Sequence, residues 1–167
     1  NLKEIQEAFL TAKKNGCKDI TLLYCVSSYP AELKDFNLYN IEILRKKFKC
    51  KVGLSDHSTD NSVAILAYSL GAEVFEKHIA LKEQKKTFDI QFSLKGDEFK
   101  RYVSSLRSAR VLIGKKNFIR KKNEIKNLKY RRSLYITKNI YKGEKFDFSN
   151  IKPLRPATGV EPKYIKN

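Results

Sequence analysis

The sequence predicts an α/β fold built on a parallel sheet, with a smaller β-rich unit at its C-terminal end. Three observations carry this expectation. Strand-like apolar runs alternate three times with helical stretches, at spacings of about 25 residues, which is the rhythm of βα units. The runs are apolar throughout rather than alternating, as strands covered on both faces require. After Lys115 the helical period stops and short alternating pieces take over.

Taken in order, Leu2, Ile5, Ala8, Phe9 and Ala12 recur at helical spacing, and Gly16 is placed to end that helix. "DITLLYCVSS" reads as the first strand and turns polar at Ser27. "NIEILRKKF" is a short helix, "CKVGLSD" a second buried strand, and "DNSVAILAYSLG" a helix with Gly71 beyond its end. "EVFEKHIAL" is the third strand, and "DEFKRYVSSLRSARVLIG" a long amphipathic helix closed by Gly114. A (β/α) barrel and a doubly wound sheet both give this pattern. No GxGxxG follows any strand, which removes the best reason for a dinucleotide fold and favours part of a barrel.

The segment "KKNFIRKKNEIKNLKYRR" holds nine basic residues and one acid, without apolar period, Pro or Gly. It is expected to be an exposed connector. The domain expectation is therefore a parallel-sheet domain over residues 1–116, a basic linker over 117–132 and a partial β unit over 133–167, with "YKGEKF" as a turn. The chain starts at Asn1 without Met and stops in "PKYIKN", so a C-terminal fragment of a longer protein is expected.

Composition narrows the function classes. With 167 residues and 41% apolar content the chain can bury one core and at most a small second unit. A formal charge of +17 raises nucleic acid, anionic membrane and anionic metabolites as partners, against the simpler reading of basic residues spread over solvated faces. The basic run is not interleaved with aromatic residues, as a single-strand binder would want, so no nucleic-acid partner is expected. No apolar run reaches the roughly 18 residues of a membrane span, and the amphipathic N-terminus is not a signal peptide. Cys17, Cys25 and Cys50 share no CxxC spacing. Buried reduced thiols at Cys25 and Cys50, and a cytoplasmic location, are the expectation.

The chain's only histidines, His57 and His78, each stand at the C-terminal end of a strand. Functional side chains of parallel βα proteins gather at those ends. Neighbouring strands lie about 4.8 Å apart, so two imidazoles at one level can share a divalent ion. Two histidines with open positions suit Mn, Fe, Co or Zn in a catalytic role, since structural zinc takes four closed ligands. "SSYP", from Ser27 to Pro30, brings a third polar strand end to the same side.

Read in order, "CVSSYP", "VGLSDHS", "LGAEVFEKHI", "FSLKGDEF", "RRSLY", "KGE" and "IKPLRPATG" resemble the sialic acid synthase (N-acetylneuraminate synthase-like) family. "SSYP", "FSL" and "GVEPKYI" are most similar to its pseudaminic acid synthase branch, and the resemblance runs along the whole chain. It implies the C-terminal part of a (β/α)8 TIM barrel followed by the start of a SAF (antifreeze-like) domain. The implied reaction condenses phosphoenolpyruvate with an N-acetylated amino sugar aldehyde, releases phosphate and makes a nine-carbon 2-keto sugar acid. It also implies His57 and His78 as catalytic ligands of a divalent metal, Mn2+ being the expected ion. Ser27 and Ser55 would lie at the phosphoenolpyruvate phosphate, with Tyr29 and Asp89 facing the sugar. Arg155 would reach sugar bound in the other subunit of a domain-swapped homodimer.

Two departures from the family pattern stand out. Val26 replaces a Thr, and "KEQKKTFD" lacks the Gly-Pro that precedes the Asp, which bears on Asp89. The lysines that hold phosphoenolpyruvate are not in this sequence, so the chain alone is expected to be inactive. The alternatives are a basic nucleic-acid-binding module and an inactive synthase-like fragment.

Overall fold

The computed structural model describes residues 1–86 and 88–166. The chain divides into two compact units, Asn1–Lys115 and Lys116–Asn167.

In the first unit, α1 (Leu2–Lys14) begins at an Asn1 capping box and ends before Gly16, whose φ of 90° suits a residue without a side chain. Strands β1 (Thr21–Cys25), β2 (Lys51–Asp56) and β3 (Val74–Lys77) form a parallel sheet in that order. They are joined through α2 (Tyr39–Phe48) and α3 (Asn61–Ser69). The register sets Leu23 beside Gly53 and Cys25 beside Ser55, then Ser55 beside Glu76 and Asp56 beside Lys77. Alternation along β2 therefore gives two faces. Val52 and Leu54 point into a core shared with Ile41, Leu44, Val63 and Ala67, whereas Gly53 and Ser55 point the other way.

Cover on both faces, expected for every strand, holds for β2 alone, which is buried from Val52 to Asp56. On the face opposite the core, Leu23 is 36% exposed and Val74 39%. The thiols correct another expectation: Cys17 and Cys25 are exposed and Cys50 half-buried, all three free. Cys25 lies on the open face of β1, not on the core face.

The single third strand expected over "EVFEKHIAL" is divided. After β3 comes β4 (Ile79–Ala80), which pairs in parallel with a fourth segment, β5 (Leu94–Lys95). His78 sits at the division, and its carbonyl accepts the Leu94 amide at 2.9 Å. The strand changes neighbours there instead of ending. Helix α4 (Asp97–Ile113) follows and buries Tyr102 and Ala109.

The second unit begins inside the segment expected to be a connector. There α5 (Lys122–Lys126) and a 3₁₀ turn, Asn127–Tyr130, precede the antiparallel pair β6 (Ser133–Ile136) and β7 (Ile151–Leu154). The Glu124 carboxylate accepts the Lys121 amide at 2.6 Å, which caps α5 and explains order without an apolar period. Ser133 is buried and bonds Gly159 in both directions, with Ser133 Oγ to Gly159 O at 3.2 Å and Gly159 N to Ser133 Oγ at 3.0 Å.

Candidate functional site

The core-facing alternation of β2 and β3 forces Ser55, His57, Glu76 and His78 onto the opposite face. The two imidazoles meet there. Their ring centroids are 5.2 Å apart and the planes cross at 61°. Phe92, 3% exposed, packs edge-on against both, at 5.5 Å from His57 and 5.0 Å from His78. Tyr29 closes the cluster at 4.5 Å from His57 and 5.6 Å from Phe92.

Contacts at Nδ1 orient each ring toward a ligand. His57 Nδ1 lies 3.2 Å from the Val26 carbonyl, which can only accept, so Nδ1 carries the proton and Nε2 keeps its lone pair. The contact uses the Val26 backbone, so it does not depend on the side chain at that position. The Cys25 thiol lies 3.6 Å from the same nitrogen. His78 Nδ1 stands 3.4 Å from the Asp89 carboxylate, so the neutral ring with its proton on Nδ1 offers Nε2. Rings held by Nδ1 and offering Nε2 are what a metal-binding pair requires, so the residues present fit a divalent ion. Among the described residues no group of three His, Cys, Asp or Glu is gathered to hold a metal. The pair would thus leave most positions on an ion open, as in catalytic rather than structural centres.

Of the other residues singled out in the sequence, Tyr29 and Asp89 join this cluster. Ser55, one step below His57 on the same face, donates its hydroxyl to the Glu76 carboxylate at 2.7 Å. Ser27 is exposed, with its hydroxyl 4.0 Å from the Cys25 sulfur. Arg155 belongs to the second unit and is exposed just past β7. The loop that follows it is tied by the Tyr135 hydroxyl, 2.8 Å from Pro156 O and 2.6 Å from Thr158 Oγ1.

Sequence reasoning missed Phe92 as a member of the site. "FSL" marked the stretch, but only the loop that carries the chain from β4 back to the parallel β5 sets Phe92 against both histidines. It also missed what lies behind them. Asp56, 1% exposed, receives Ser58 N and Ser58 Oγ on Oδ1 at 2.9 and 2.7 Å. Its Oδ2 faces Lys77 Nζ at 3.2 Å and the Tyr102 hydroxyl at 3.4 Å. Burial pushes the Lys77 ammonium below its ordinary pKa, and Asp56 works against that shift. Burial, then the Asp56 charge, pushes the Tyr102 phenol well above its usual range.

The chain is similar to known proteins over most of its length. A Campylobacter jejuni pseudaminic acid synthase is 41% identical over 154 residues, covering 92% of this chain and 45% of that one. The N,N'-diacetyllegionaminic acid synthase of the same organism is 38% identical over 163 residues, covering 96% and 49%. The chain thus spans about half the length of the curated relatives it matches. A solved N-acetylneuraminic acid (sialic acid) synthetase from Leptospira borgpetersenii serovar Hardjo-bovis, in complex with citrate, superimposes with a TM-score of 0.67 at 30% identity. That match covers 77% of this chain and 45% of that one. Residues 1–118 match the NeuB family, and the chain belongs to it.

Proposed function

We infer that this chain carries the metal-holding part of a synthase that condenses phosphoenolpyruvate with an N-acetylated amino sugar aldehyde, releasing phosphate and yielding a nine-carbon 2-keto sugar acid. The observation that carries the reading is the His57–His78 pair, its rings 5.2 Å apart and both held through Nδ1. On this reading the first unit is the C-terminal part of a (β/α)8 barrel and the second the beginning of a SAF domain. The similarity to synthases named for pseudaminic, legionaminic and sialic acids supports the substrate class and leaves these three products as candidates.

A bound divalent ion, Mn2+ by the family resemblance, supplies Lewis-acid polarisation of the aldehyde oxygen. The chain's own residues orient the rings. The Val26 carbonyl and the Asp89 carboxylate aim the two Nε2 lone pairs. Phe92 and Tyr29 pack against the rings. Asp89 is 48% exposed, so a carboxylate oxygen stays open to a sugar hydroxyl while the group steadies His78. Ser55 serves a phosphate oxygen only by turning its hydrogen away from Glu76. Ser27 is open to the same phosphate, and Arg155 is assigned to sugar in the partner subunit of a domain-swapped homodimer.

The test is phosphate release from phosphoenolpyruvate, required to depend on both Mn2+ and the amino sugar. In a polypeptide spanning the relatives' full length, turnover is expected and His57→Ala abolishes it. The 167-residue chain alone is expected to show none. Metal-independent release in the longer protein would overturn the reading.

A further inference from the structure

We propose that the buried Asp56–Lys77 pair is a positioning device that sets the spacing of the His57 and His78 imidazoles. The inference rests on the reading of those rings as the metal-holding pair, but its geometric content can be tested without metal.

The register is the starting point. Asp56 and Lys77 are direct neighbours on β2 and β3, and each immediately precedes one of the histidines. Their side chains point to the core face, so the pair lies behind the sheet from the rings. Lys77 Nζ reaches Asp56 Oδ2 at 3.2 Å and also donates to the Ser58 carbonyl. Asp56 Oδ1 receives the Ser58 amide and hydroxyl. Residues 56 and 58, on both sides of His57, are thereby bound to residue 77, beside His78. A slip of either strand end would break this set of bonds before it moved a ring.

Stability alone does not explain such a pair. The two side chains are 1% and 5% exposed, surrounded by a core of Val52, Leu54, Val63 and Tyr102. Removing two charges from water is costly there, and well-packed apolar replacements of buried ion pairs are often neutral or stabilising. What an apolar pair lacks is direction. Ion pairs with several fixed hydrogen bonds hold one relative placement of two strands, as buried polar groups do where register must be specified. The site needs that placement, because two ligands of one ion tolerate displacements of only about 0.5 Å.

The test uses the double variant Asp56→Asn/Lys77→Met in the 167-residue chain. Asn keeps the acceptor for Ser58 N and Oγ and Met keeps the volume of Lys, while the cross-strand link, its charges and the Oδ2 acceptor of the Tyr102 hydroxyl are lost. Because the chain has two histidines, its imidazole proton spectrum contains two spin systems, assigned with His57→Ala. In the unsubstituted chain a nuclear Overhauser cross-peak between the rings is expected, given centroids 5.2 Å apart. In the double variant that cross-peak is expected to fall at least fivefold, and Mn2+ affinity by paramagnetic titration at least tenfold, with circular dichroism and melting temperature essentially kept. A folded variant with the cross-peak and affinity unchanged overturns the proposal. So does a variant that does not fold, since the network would then hold the fold and not the rings. If the unsubstituted chain shows the cross-peak, the variant loses it, and neither binds Mn2+, the positioning role stands and the metal reading fails.

Discussion

The imidazole of His57 lies 5.2 Å from that of His78, ring centre to ring centre, and both rings are anchored through Nδ1. On the proposed reading these two residues, 21 positions apart in the chain, would act on one ion. Removing either should therefore have nearly the effect of removing both. His57→Ala and His78→Ala are each expected to weaken Mn2+ binding about 100-fold or more, with little further loss in the double variant. Calorimetric titration of Mn2+ gives the comparison. Additive losses would show that the rings bind independently.

Phe92 touches both histidines and Tyr29 while almost wholly buried. Phe92→Leu should cost about 1–2 kcal/mol of stability through lost packing. It should also lower Mn2+ affinity several-fold, because the rings lose their common wall. Urea unfolding and metal titration on one sample separate the two effects.

Gly53 permits the close approach of β1, β2 and β3 on the site face. A side-chain carbon there would collide with the Val74 carbonyl oxygen and stand 2.7 Å from Leu23 Cδ2. Gly53→Ala is expected to destabilise by about 1–3 kcal/mol, as over-packing does, read as a fall in the urea midpoint.

Asp60 caps α3 by accepting the Ser62 amide at 2.8 Å. Hydrogen bonds from Ser62, backbone first and hydroxyl second, hold its carboxyl below the usual 3.8. With the folded pKa depressed, the unfolded chain binds the proton more readily. This contribution is therefore complete above about pH 4 and fades as the pH falls below 3.8 through the folded value. Asp60→Ala should cost about 1 kcal/mol at pH 7 and progressively less below pH 3.8, as melting curves across that range would show.

The α/β alternation and the histidine pair were legible because each rests on a local signal: continuous apolar runs for β1 and β2, and two ring residues at strand ends. What escaped was set by tertiary pairing. β5 is two residues long and owes its existence to β4, so no hydrophobic period announces it. Phe92 reads as an ordinary core aromatic until the connection from β4 to β5 sets it against the two rings. Helix α5 depends on a cap at Lys121 within a run whose charge pattern reads as a connector. The Asp56–Lys77 contact needs the register of two strands, which spacing alone does not supply. Cys25 reads as a core residue because its neighbours are apolar, yet a shift of one position decides the face of a strand.

The change of neighbours at His78 puts one residue both beside the candidate site and on the β4–β5 pairing. Its ring takes part in the site while its own carbonyl secures the Leu94 amide at 2.9 Å. Any occupant that stiffens the ring should also slow the opening of that amide to solvent. Deuterium uptake at Leu94 would then serve as a built-in gauge of whether the site is filled, readable without turnover.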